Sequence, residues 1–176
     1  IAVYHQYGDG QISFEGYAAG LVQTSPSVPH YLGAESGTNG AAEVTAQAWA
    51  ALHVLAQADQ IRSAKVQIHY DSEVAAALTM ARARPRRHHR LVTYTAVLWE
   101  LVAVQRDTEF AYVPSHADHP YNEFADALCS AAARNLTARA TGNMPIQSWH
   151  RGQLEDVKLV PFFSRPICDR HAYPQI

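Results

Sequence analysis

Three acids and one histidine occupy settings in which their chemistry would be usable. His116 falls in a polar turn within SHADHPYNEFADALCSAAA (115–133), and Asp126 lies ten positions later on the helix that follows. Asp71 closes the segment AKVQIHYDSE, and Glu43 stands near the start of GTNGAAEVTAQAWAALHVLAQ. Carboxylates are the ligands that hard divalent cations such as magnesium prefer, and thiolates are not. Massed acids repel one another and gain affinity for protons unless a cation is bound, so clustering them has an electrostatic cost. A near-neutral imidazole in a turn suits proton transfer to or from water.

The elements that must position these groups can be read from periodicity. Val66, Ile68 and Tyr70 alternate with Lys65, Gln67 and His69, the period-two pattern of a strand. Asp71 therefore leaves the carboxyl end of a strand, where ligands bind in open α/β sheets. Asp71-Ser72 also caps the next helix, EVAAALTMARA, which Pro85 is expected to break. Thr38-Asn39-Gly40 opens a helix with Val44, Ala48, Leu52 and Leu55 inward, leaving Glu43 at the margin of the core. LVTYTAVLWELVAVQR predicts a helix between Arg90 and Arg106 with Tyr94, Leu98, Leu101 and Val102 inward, and Glu109–Val113 reads as the last strand. Pro-Tyr-Asn-Glu starts a final helix with Phe124, Ala127, Leu128 and Ala131 as its apolar stripe and Cys129 on that side. At the other end, Ile1, Val3 and His5 alternate, Tyr7-Gly8-Asp9-Gly10 signals a turn, and Ile12, Phe14 and Gly16 resume the alternation of a hairpin.

The order of Glu on a helix, strand-Asp-Ser, then His, Pro, Asn, Glu and Asp entering a last helix resembles the ribonuclease H family, especially the domains of retroelement polyproteins. The matching segments are TNGAAE (38–43), IHYDS (68–72) and HADHPYNEFAD (116–126), and the resemblance runs from about Ile1 to Asn135. It implies an α/β fold, a ribonuclease H-like mixed sheet flanked by helices, over residues 1–140, with 141–176 as a linker or C-terminal extension. It implies cleavage of the RNA strand of RNA–DNA hybrids with two magnesium or manganese ions. Glu43 and Asp71 would serve one ion, Asp126 the other, and His116 would handle protons. Asn39 and Ser72 would contact nucleic acid, although the second Asn of the family's pair is Gly40 here. Asn39 as a plain helix cap remains open. A reverse transcriptase is the expected covalent neighbour, and the expected compartment is intracellular, cytoplasmic or nuclear.

The family's fourth carboxylate lies in its first strand. The hairpin at residues 1–16 matches the family's second and third strands, so that strand and its Asp are expected upstream of Ile1. Asp9 is the nearby acid that could substitute, at a turn tip. A register making Ile1–Gln6 the first strand would instead put His5 or Gln6 at the metal position and describe an inactive, hybrid-binding or structural domain. Transposase-like DNA cleavage is the third reading, against which the Asp of the last helix argues.

Composition agrees with one globular domain: 176 residues, 48% hydrophobic and 17% charged. The formal net charge of −2 lacks the basic footprint usual for nucleic-acid proteins. Its distribution is more informative, because Arg82, Arg84, Arg86, Arg87 and Arg90 crowd around His88 and His89. Such a segment fits phosphate contacts, or a solvated loop. His119 is a further candidate phosphate contact, and Trp49 and Trp99 read as core. Cys129 and Cys168 have no metal-ligand spacing, and no apolar run or secretory signal suggests a membrane or an oxidising compartment.

Overall fold

The elements follow the order β1 (Ala2–Gln6), β2 (Ile12–Tyr17), α1 (Asn39–Ala56), β3 (Val66–Tyr70), α2 (Glu73–Thr79), α3 (His89–Gln105), β4 (Thr108–Tyr112) and α4 (Pro120–Arg134). The computed structural model describes residues 1–9, 12–17, 19–28, 30–57, 65–115 and 119–134. The reading of 141–176 as a linker, and the position of His116, lie outside the described residues. Two units emerge, Ile1–Gly20 with Asp118–Ile176, and Leu21–Ala117.

In the continuous unit, β3 and β4 pair in parallel, Val66 opposite Thr108 through Tyr70 opposite Tyr112. The alternation read from the sequence holds. Val66, Ile68 and Tyr70 are half-buried, and Lys65, Gln67 and His69 are exposed. Trp99 of α3 meets Phe110 of β4 edge-on at 5.2 Å between ring centroids, so α3 covers the apolar face. The polar row carries its own surface network, with Lys65 Nζ 2.7 Å from Glu109 Oε2 and His69 Nε2 2.9 Å from Gln67 Oε1.

Helices α1, α2 and α3 pack together around Ala34, Ala41, Val44, Ala75, Leu91 and Val92, with Val22, Leu32 and Leu78 against them. Small alanines let the helix backbones approach while longer neighbours fill the space. Buried Thr79 and Thr95 satisfy their hydroxyls by donating to the carbonyls of Ala75 and Leu91, at 2.9 and 2.8 Å. The first-turn amides of α1 and α2 are met by Thr38 and Ser72, which accept from Ala41 N and Ala75 N. The cap of α1 is thus Thr38, and Asn39 is the first helical residue.

Four sequence expectations need correction here. Helix α2 ends at Thr79 rather than Ala83, before Pro85 acts. Ala81 turns left-handed (φ 55°), its N–H donates to Leu78 O at 3.1 Å, and Arg82 N–H donates to Ala77 O at 2.8 Å. That pair of bonds is the Schellman termination, here with alanine where glycine is usual. Leu101 is exposed, because the arc of α3 that is buried (Leu91, Val92, Thr95, Leu98, Trp99 and Val102) is centred about 120° away around the helix. Cys129 is exposed too, about 120° from the side of α4 defined by buried Phe124 and Leu128. Trp99 is core as expected, whereas Trp49 is half-buried and packs edge-on against His30.

In the other unit, β1 and β2 form the expected antiparallel hairpin, with Gly8 and Asp9 in its turn. An irregularity between Val3 and Tyr4 shifts the register, so that Val3 opposes Gly16 and Tyr4 opposes Phe14. One extra β2 residue at this bulge changes which positions share a face. It puts Phe14 rather than Glu15 opposite Tyr4, while Tyr4 and Tyr17 both meet α4. Tyr4 lies 4.0 Å from Tyr121 and Tyr17 lies 6.0 Å edge-on from Phe124, between ring centroids. Burial, and secondarily Tyr121, pushes the Tyr4 phenol up to about 12. Pro120 opens α4, at the position where a missing N–H costs nothing.

Candidate active site

Parallel strands deliver their carboxyl ends to the same edge, and β3 and β4 do so here. Asp71 follows Tyr70 directly, and the ladder extends past the strand as Val113 N–H donates to Tyr70 O at 2.8 Å. Two residues beyond Val113, the Ser115 hydroxyl donates to Asp71 Oδ2 at 3.2 Å. The chain neighbour of His116 therefore touches the Asp71 carboxylate across 44 positions of sequence. Ser72 is committed through its side chain to the α2 amide of Ala75, at 3.3 Å, which fixes the backbone leaving Asp71. Asp71 is not the cap; Ser72 is, and the Asp71 carboxylate is directed elsewhere.

Glu43 lies in the second turn of α1, half-buried beside buried Val44, at the core margin where the sequence put it. Asn39 is exposed at the head of the same helix. Arg82, Arg84, Arg86, Arg87 and Arg90 are all exposed between α2 and the first turn of α3, as a phosphate-contacting segment requires. Asp126 is half-buried on α4 in the other unit. Asp9 is exposed in the hairpin turn. Among the described residues, no group of three or more His, Cys, Asp or Glu side chains stands arranged to hold a metal ion.

Sequence reasoning missed the role of His88, which it grouped with the basic segment. His88 is buried, 8% exposed, while its neighbours Arg87 and His89 are exposed. Its Nδ1 accepts from the Glu35 N–H at 3.0 Å, and its Nε2 lies 3.2 Å from Thr38 Oγ1. Those partners are 53 and 50 positions away, so no local pattern could have announced them.

The fold and these positions define an α/β domain with an acid at the carboxyl edge of parallel strands and an arginine-rich surface segment. The family model for RNase H matches residues 4–134, more than half of the chain. No curated protein and no solved structure gives a significant match. The chain belongs to the ribonuclease H family, whose members are nucleases acting on RNA–DNA hybrids, generally with divalent metal ions. No helix among the described residues is long and apolar enough to cross a membrane.

Proposed function

We propose that this chain hydrolyses the RNA strand of RNA–DNA hybrids, with Glu43, Asp71 and Asp126 holding two magnesium or manganese ions. The observation that carries this reading is Asp71 at the carboxyl end of β3, held by Ser115, the residue before His116. The donor set fits the ions chemically, being three carboxylates with no thiolate among them. Bound there, the ions would supply an activated water and charge relief on the leaving oxygen. The chain's own residues have separate tasks. Ser115 orients Asp71, His116 takes or returns a proton, Asn39 addresses the ribose edge, and Ser72 contacts nucleic acid. Arg82, Arg84, Arg86, Arg87 and Arg90 neutralise phosphates, a contribution that weakens with added salt. A retroelement polyprotein, with a reverse transcriptase as covalent neighbour, is the setting that the HADHPYNEFAD segment favours.

A second reading is a catalytically inactive hybrid-binding domain. It is favoured by the place of Asp9, the acid nearest to the family's first-strand position, which is exposed in the hairpin turn. One experiment separates the two: release of labelled RNA from a hybrid by the 176-residue chain with magnesium or manganese, beside Asp71→Asn and Asp9→Asn. Cleavage lost in Asp71→Asn and kept in Asp9→Asn supports the nuclease. Hybrid binding without cleavage supports the second reading. Cleavage unchanged in Asp71→Asn would remove Asp71 from the site.

A further inference from the structure

His88 is the one buried titratable side chain in the arginine segment, and its hydrogen bonds define a connection that the proposed chemistry leaves unused. A backbone N–H can only donate, so the bond from Glu35 N–H leaves Nδ1 as the acceptor. The neutral ring then carries its proton on Nε2 and donates it to Thr38 Oγ1. Thr38 Oγ1 simultaneously accepts from Ala41 N–H at 3.2 Å, which is the cap of α1. A single imidazole thus ties together the loop at Glu35, the cap of α1 and the start of α3.

The backbone is shaped for this reach. His88 occupies the N-cap position of α3 in a left-handed conformation (φ 56°, ψ 37°), with no side-chain bond to its own helix. A residue at that position ordinarily caps its own first turn. Here the side chain gives up that role and crosses to the cap of α1. Behind it, Gly33 (φ 102°) lies against Arg90 and the amide of Leu91 with no room for a Cβ, so the same loop is pressed onto α3 from a second point. On one side of His88 in sequence lie Arg82, Arg84, Arg86 and Arg87, and on the other Arg90. Beyond Thr38 lies Asn39.

We infer that His88 is a positioning residue for the hybrid, fixing the distance between the arginine segment and the Asn39 end of α1 so that both meet the same duplex. This rests on the reading above that Asn39 and the arginines contact hybrid. Two binding elements held at a set spacing engage with less ordering on binding than two that move independently. His88 touches no nucleic acid itself; the register that it sets is expressed as affinity.

The test is hybrid binding by the full chain, followed by fluorescence anisotropy with a labelled RNA–DNA hybrid and calcium in place of magnesium. His88→Ala, Thr38→Val, the double variant and His88→Gln are compared with the unaltered chain, each with its melting temperature. His88→Ala and Thr38→Val should each weaken binding about five- to tenfold, the scale of one hydrogen bond. The double variant should be no weaker than the worse single one, since both remove the same link. His88→Gln, which keeps one acceptor and one donor, should recover most of the affinity. In turnover the loss should fall on KM rather than kcat, and ring nitrogen shifts should report Nε2–H. Unchanged affinity in folded His88→Ala, multiplied losses in the double variant, or an Nδ1–H ring would overturn the inference. An unaltered chain that binds no hybrid would overturn the functional reading beneath it as well, before any variant is made.

Discussion

Replacing Gly33 with alanine should be among the most damaging small substitutions in this protein. Gly33 is buried, with φ at 102°, a region that L side chains rarely enter. Holding a residue there costs about 1–3 kcal/mol. The added Cβ would also meet Leu91 N at 2.8 Å, Arg90 Cβ at 2.9 Å and Arg90 C at 3.0 Å. These are mostly backbone atoms of the α3 first turn, so the collision cannot be relieved by rotating a side chain. Forcing one carbon into a close-packed site costs about a further 1–3 kcal/mol. The expected loss is therefore about 2–6 kcal/mol, a large share of the stability of an ordinary domain. Urea denaturation followed by circular dichroism would measure it, with an unchanged slope showing that the same surface is exposed. Gly40→Ala is the control. Its Cβ meets nothing within 4 Å and it lies in the first turn of α1, so it should stabilise by up to about 1 kcal/mol through helix propensity. A Gly33→Ala protein within about 0.5 kcal/mol of the parent, the scatter of neutral surface changes, would refute the close approach of the loop to α3.

Ala81→Gly should raise stability by about 1 kcal/mol, because it removes the Cβ cost of a left-handed residue while keeping the α2 termination; a thermal melt that falls instead would deny that geometry. Trp99→Phe should cost less than Trp truncations usually do, since the buried indole Nε1 has no hydrogen-bond partner among the described residues. A loss above about 3 kcal/mol would mean that the N–H is satisfied. Tyr4, with its pKa raised from 10.0 to about 12, should be the late titrator in an ultraviolet titration of the tyrosines, and Tyr4→Phe should remove that step. Because the folded value lies above the unfolded one, the stabilisation is fully present below about pH 10 and is lost as pH rises toward 12. An early, ordinary titration of Tyr4 would contradict its packing under α4.

Elements governed by local rules were legible in the sequence. The β3 alternation, the Ser72 cap, the Pro120 start of α4 and the placing of Glu43 at a core margin follow from period, cap chemistry and proline geometry. The errors arise where a partner elsewhere decides. Leu101 is as apolar as Leu98, but the burial of α3 is set by the arc that α1, α2 and β4 cover. Cys129 sits next to Leu128 in sequence and a third of a turn away from it in space. His88 looked like one more basic residue because Glu35 and Thr38 enter its surroundings only after folding. The termination of α2 at an alanine could not be anticipated from Pro85, since the Schellman bonds form without glycine or proline at the turning residue. Of the candidate site, the identities of Asp71 and Glu43 and their elements were readable, whereas the support from Ser115 required the parallel pairing of β3 with β4.

The two units differ in how the chain is threaded, and this bears on the order of folding. Leu21–Ala117 is one continuous stretch, so its contacts can form as soon as that stretch is available. The hairpin unit draws on both sides of it, and Tyr4 must wait for Tyr121 before its ring is covered. Closing so long a loop is entropically dear if the intervening chain is unfolded, and much less so once that chain is compact. On a ribosome the hairpin emerges before the continuous unit, yet its helix arrives more than a hundred residues later. During that interval the tyrosine face of β1 and β2 lacks the helix that meets it in the folded chain. The hairpin, made before the continuous unit, is thus finished after it, and its tyrosine face is the surface most open to misassociation in the meantime.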